Sequence, residues 1–279
     1  MKNLIGIMQG RLSPKYKGNY QAHPVNNWKQ EFKLASSLQF ECIEFILDFD
    51  KVMYNPLLNK DGNNLIVKYS LDNNIKIKSV CADIFMKRPL FSQDEEIKRS
   101  NFYILVTLMN NSAKIGVTDI VIPFVDNSSL FNDHKKQTMT IKFLKKIFDF
   151  TKNININLCL ETDLPPDEFI RFLRKINNPK LKVNYDTGNS ASLGYCFKEE
   201  LDAYGHLITN IHIKDRIFEG GSVPLGLGSC NFDEFFKHLS TKSFNGVLIM
   251  QAFRDEDAIK SLIPQYEFIK PILNKYLSD

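Results

Sequence analysis

Apolar residues along the chain fall into two periods that alternate. Short, nearly continuous apolar runs recur at Leu4 to Gln9, Phe40 to Ile46, Ile75 to Asp83, Asp119 to Phe124, Asn155 to Glu161, Leu181 to Asp186, Ile208 to Asp215 and Gly246 to Gln251. Runs of this length, rich in β-branched residues, predict strands buried on both faces, as in a parallel sheet. Between them lie stretches of helical period. Trp28, Phe32, Ala35 and Leu38 form one, with Asn27 placed to cap it. A helix is predicted over Leu65 to Leu71. Asp94, Glu95 and Glu96 open a long helix reaching about Lys114, with acids at the favourable end of its dipole. Asn132 or Asp133 caps the next, to about Lys152. Pro165-Pro166-Asp167 starts another carrying Phe169, Leu173 and Ile176. A short one near Lys198 to Tyr204, one carrying Phe232, Phe235, Phe236 and Leu239, and a last helix broken by Pro264 and Pro271 complete the series.

Eight strand–helix units without a composition break predict a single (β/α)8 TIM barrel, an α/β fold, as one domain over residues 1–279. A doubly wound open sheet normally shows a glycine-rich turn after its first strand, and Gly10-Arg11-Leu12-Ser13 is not one.

Alternation within the strands then selects residues. In Ile208 to Asp215, Ile211 and Ile213 face one side, and Asn210, His212 and Lys214 the other. The same parity sets Glu161 apart from Leu158 and Leu160, Asp186 apart from Val183 and Tyr185, and Gln251 apart from Leu248 and Met250. Active sites of such barrels lie at the C-terminal strand ends. Carboxylate, carboxylate, imidazole and amide converging there would make a metal cage. Buried carboxylates also need a partner or a cation. Gln9 and Arg11 after the first strand, and Glu44 and Asp83 at the ends of the second and third, are expected at the same cavity as substrate contacts, as is Arg254 after the eighth. Lys214 and Arg216 are placed to hold a substrate oxyanion or a phosphate. Glycines at 220 and 221 lie where many barrels bind phosphate. His23, His134, His206 and His238 show no ligand spacing.

Composition narrows the partners. A net charge of +4 on 279 residues, with no dense Lys/Arg cluster, argues against a nucleic-acid surface. Lysines 135, 136, 142, 145 and 146 read as a solvated helix face. Hydrophobic residues at 43%, including 22 Phe, suffice for a large core. Five scattered cysteines without a CxxC pair suit reduced thiols in a cytoplasmic protein. Met1 leads straight into a strand and no apolar run reaches membrane length, so neither a leader nor a membrane anchor is expected.

Five motifs in order, IGIMQGRL (Ile5 to Leu12), LET (Leu160 to Thr162), YDTGN (Tyr185 to Asn189), HIKDR (His212 to Arg216) and VPLGLG (Val223 to Gly228), carry a resemblance. Together they resemble the xylose-isomerase-like TIM barrel superfamily, and within it the sugar phosphate isomerase/epimerase branch. The resemblance implies one divalent ion (Mn, Co, Mg or Zn) held by Glu161, Asp186, His212 and Gln251. It implies an isomerase or epimerase acting on a small sugar or sugar phosphate through an enediolate, with Glu161 moving the proton. Pairing of such barrels into a homo-oligomer is a further expectation.

Three departures stand out. The family's ketose epimerases have a second glutamate where this chain has Gln251. An amide oxygen can ligate a hard cation but has no useful basicity. Two-base epimerisation then needs Glu44 or Asp83 as the second base, whereas a one-base transfer needs only Glu161. Asn189 stands where a histidine is frequent, and Leu227 where an acid is expected. A keto-polyol dehydratase, which starts with the same proton abstraction, is one alternative, and the two amides favour another, a catalytically reduced sugar-binding barrel. An endonuclease of this fold would need more strand-end histidines than the chain offers.

Overall fold

A computed structural model describes residues 3–277. Eight parallel strands close into a barrel: β1 (Leu4–Met8), β2 (Cys42–Ile46), β3 (Lys76–Cys81), β4 (Asp119–Phe124), β5 (Asn157–Thr162), β6 (Leu181–Asp186), β7 (Ile208–Ile213) and, last in the chain, β10 (Val247–Met250). Between the last two a small antiparallel ribbon, β8 (Asp215–Arg216) with β9 (Ser222–Val223), forms within the glycine-rich segment. Around the barrel order, β1 pairs with both β2 and β10, so the first and last units meet at a seam.

The strands are apolar on both faces because each lies between two layers. Inward side chains at the barrel's heart are small or slender: Met8, Cys42, Ile46, Cys81, Val121, Cys159, Val247 and Ile249 form their own cluster. Outward side chains join a larger core beneath the helices. Those helices are α1 (Trp28–Ser37), α2 (Lys60–Asn73), α3 (Ile84–Lys87), α4 (Glu95–Lys114), α5 (His134–Phe150), α6 (Pro166–Ile176), α7 (Thr187–Leu193), α8 (Phe197–Tyr204), α9 (Phe232–Ser240) and α10 (Ala258–Leu277). Caps follow the sequence where it carried a signal. Asp94 accepts from the backbone N–H of Glu96 and Ile97, and Asp133, not Asn132, caps α5 at Lys136; such a cap contributes about 1 kcal/mol. Asn27 precedes α1 without a side-chain cap bond.

Several elements differ from expectation: α2 begins at Lys60, five residues before Leu65, and neither α3 nor the ribbon was expected. The strand ending at Asp83 stops at Cys81, and Asp83 belongs to the turn into α3. The polar heptapeptide Thr187–Leu193 is helical directly after β6, with Asp186 Oδ1 accepting from Asn189 N–H at 2.8 Å. The last helix is continuous through Pro264 and Pro271. Both prolines are exposed, seven residues apart, so the carbonyls they leave unbonded turn toward water. Ala258, Leu262, Gln265, Ile269 and Leu273 hold the opposite face of α10 against the molecule.

Candidate active site

Register brings the strand ends together. Asp186 on β6 pairs with His212 on β7, and Ile249 on β10 pairs with His212 from the other side. Ligand atoms of Glu161, Asp186 and His212 all lie within 4.8 Å of one another, and all three residues are buried. His212 Nε2 is 2.7 Å from Glu44 Oε1, while its Nδ1 lies 3.1 Å from Asn184 Nδ2 and 3.3 Å from Glu161 Oε2. The imidazole is thus oriented from beneath, with Nδ1 toward the carboxylates. Burial alone would lower its pKa, but the charges of Glu44 and Glu161 outweigh that and raise it.

The donor set fits a divalent cation on its chemistry. Two carboxylates and an imidazole whose second nitrogen rests on a carboxylate match the arrangement that fixes a metal-binding tautomer. Gln251 adds an oxygen: its Nε2 donates to Gln21 Oε1 at 2.8 Å, and its buried Oε1 has no protein partner. A lone buried acceptor beside such a site suits a cation or a substrate hydroxyl.

Glu161 is held at both oxygens, by Asn189 Nδ2 at 2.7 Å and Asn184 Nδ2 at 2.8 Å. It opens onto a cavity of about 500 Å³ that Arg11, Asp83, Asn189, Lys214, Arg216 and Gln251 also line. Lys214 Nζ sits 3.3 Å from Asp186 Oδ2 and 3.1 Å from Asn189 Oδ1. Arg216 donates to Asn189 Oδ1 and, twice, to the carbonyl of Gly220. Gly188 permits this packing: a Cβ there would lie 2.8 Å from Lys214 Cγ and 3.2 Å from Arg216 Cγ.

A family model described as the xylose isomerase-like TIM barrel matches residues 32–272. The chain belongs to that family. Among its relatives, the L-ribulose-5-phosphate 3-epimerase UlaE of Escherichia coli (strain SE11) is 20% identical over 260 residues, covering 89% of this chain and 90% of that one. SgbU of Haemophilus influenzae, provisionally named an L-ribulose-5-phosphate 3-epimerase, is 24% identical over 275 residues, covering 91% and 95%. Solved structures share the fold. The IolI protein with a bound zinc atom superposes with a TM-score of 0.79 at 15% identity, and a D-psicose 3-epimerase with D-fructose present gives 0.76 at 16%, each over 100% of both chains.

Within this xylose isomerase-like barrel, not every residue singled out from sequence reaches the cavity. Glu44 lies beneath it: fully buried, it spends one oxygen on His212 and the other on Asn210 Nδ2 at 2.6 Å. Its parity with Cys42 pointed it inward, but one layer too deep for a substrate contact. Gln9 also turns away, its Oε1 taking the Ile46 N–H and His23 Nδ1. His23 is buried, which lowers its pKa to about 4. Arg254 packs under the first loop, donating to the Ser13 carbonyl at 2.6 Å. Arg11 reaches the cavity wall with its guanidinium on the carbonyls of Ala252 and Tyr20 and on Gln21 Oε1. Burial lowers its pKa to about 10, so it stays charged.

Two residues escaped the sequence reading. Asn184 bridges Glu161 and His212, and its parity with Asp186 was the available signal. Gln21 links Arg11, Gln251 and Asp83 from within a polar loop. No periodicity marks a loop residue.

Among the described residues, no helix is long and apolar enough to cross a membrane.

Proposed function

We propose that this chain is an epimerase or isomerase of a small sugar or sugar phosphate, dependent on one divalent ion. The supporting observation is the convergence of Glu161, Asp186 and His212, with Glu161 opening onto the cavity and Glu44 orienting the imidazole. Those three residues, with the Gln251 oxygen, would hold the ion. When bound, such an ion polarises the carbonyl beside the carbon that loses its proton. The protein's own groups do the rest. Glu161, fixed by two amides, takes the proton from that carbon as general base. Lys214, beside Asp186 and Asn189, holds a substrate oxygen that gains negative charge. Arg11 and Arg216 line the wall against distal oxygens. The sequence relatives named above, UlaE and SgbU, support the substrate class.

A binding-only barrel is the second reading, favoured by the amides of Gln251 and Asn189. Metal content decides first. Protein purified without chelator is expected to carry about one divalent ion per chain by elemental analysis. His212→Ala should lose the ion while keeping its unfolding transition. Ketoses and sugar phosphates in deuterium oxide then report proton transfer. Loss in Glu161→Gln of the exchange from at least one member of an epimeric pair supports the enzyme. No ion taken up from Mn, Co, Mg or Zn, together with no exchange, overturns it. Loss of a β-hydroxyl after the same proton step would instead mark a dehydratase.

A further inference from the structure

Two-sided epimerisation needs a second proton group, and the amide of Gln251 cannot serve. Glu44 cannot either, being fully buried under His212 and not part of the cavity wall. Besides Glu161, the carboxyls of Asp48, Asp50, Asp83 and Asp126 line the cavity, and among them Asp83 is the one bonded to the Gln21 amide that also meets Gln251. We propose that Asp83 is the second acid–base group of this barrel, held in place by Gln21 and Gln251, and that the deprotonating role is split between β5 and the end of β3.

The geometry behind this is a chain of amides. Gln21 Oε1 accepts from Gln251 Nε2 at 2.8 Å and from Arg11 Nη2 at 3.1 Å. Two donors on that oxygen leave the Gln21 nitrogen no choice of role, and it donates to Asp83 Oδ2 at 2.7 Å. Cys81 Sγ donates to Asp83 Oδ1 at 3.1 Å. Gln251 is therefore a positioning residue: with its amide nitrogen it sets the amide that aims Asp83. In the barrel order only β4 separates β3 from β5, and Asp83 and Glu161 open onto the same cavity from those two strand ends. Desolvation, aided by the charge of Glu161, raises its pKa to about 6, which suits a group that must both give and take a proton near neutrality.

The proton balance is simple. Glu161 removes a proton from the carbon on one face, and the C–H electron pair passes to the adjacent carbonyl. Asp83, as the acid, returns a proton to that carbon on the other face while the carbonyl re-forms. The reverse epimer uses the two groups in exchanged roles.

This inference rests on the epimerase reading, and a single experiment separates the two. The probes are both members of two C3 pairs, D-fructose with D-psicose and L-ribulose 5-phosphate with L-xylulose 5-phosphate, incubated with manganese-loaded protein in deuterium oxide. Asp83→Asn should keep deuterium wash-in from one member of a pair within about threefold. Wash-in from the other member, and inversion in both directions, should fall at least about 100-fold. Glu161→Gln should show the mirror pattern. Gln251→Glu in the Asp83→Asn background should recover part of the inversion, which also guards against a fold defect. Asp83→Asn inverting at the parent rate, or losing wash-in from both members alike while still binding the sugar, overturns the role of Asp83 alone. No wash-in from any probe with the unaltered protein overturns the epimerase reading and this inference with it.

Discussion

Glu31 lies outside the cavity, yet it shapes the loop that carries Arg11. From α1 it takes the N–H of Gly10 at 2.9 Å, the N–H of Leu12 at 3.3 Å and the Ser13 hydroxyl at 2.7 Å. Gly10 there has φ +82°, a conformation that suits glycine alone. Burial raises the Glu31 pKa to about 7 from an ordinary 4.5. The folded state therefore prefers the protonated acid. Its contribution is complete below pH 4.5 and is lost as pH rises through 7, about 3 kcal/mol in all. Denaturant titrations across that window should show this slope, and Glu31→Gln should flatten it; an unchanged slope assigns the pH dependence elsewhere. At this scale the sequence was legible where side chains alternate. Glu161, Asp186 and His212 stand out because a strand leaves only two directions for a side chain. Gln21 and Glu31 stayed hidden because their partners are distant amides and backbone groups, which leave no trace in a pattern.

Among the elements, α7 and the ribbon of β8 and β9 act as a pair. Gly188 on α7 lets Lys214 and Arg216 pass close enough for both to reach Asn189 Oδ1. Gly188→Ala would push a methyl group against Lys214 Cγ, at a cost of about 1–3 kcal/mol. Its melting temperature should fall by a few degrees and turnover by tenfold or more, with bound metal retained. Unaltered turnover would show that Lys214 is not held by this contact. The strands were read to within two residues at most ends because burial on both faces gives long apolar runs. Small polar residues from Thr187 to Ser192 offer no apolar stripe, so α7 was missed, although Asp186 three residues before Asn189 is a capping spacing. The prolines of α10 misled because breakage was read from residue type alone, without knowing that both face water.

At the scale of the molecule, the cysteines report the layering. Cys42, Cys81 and Cys159 lie inside the barrel, Cys230 is half-buried, and Cys196 is exposed. Ellman's reagent should titrate about one thiol quickly in the native protein and all five in denaturant. Rapid reaction of the interior three without denaturant would contradict a closed barrel. Closure itself ties the completed barrel to the order of synthesis. The seam joins β1 to β10, and across it Arg11 meets the Ala252 carbonyl, Arg254 meets Ser13 and Lys15 meets Glu256, each pair 241 residues apart. Until that last strand leaves the ribosome, β1 has one edge without a neighbour and must be kept from pairing elsewhere. Gln251 and Gln21 sit on this same seam. A nascent chain can thus assemble most of its helices and even the Glu161–Asp186–His212 cluster, but the wall where Gln251 meets Gln21 comes into being only with the final turn of the barrel.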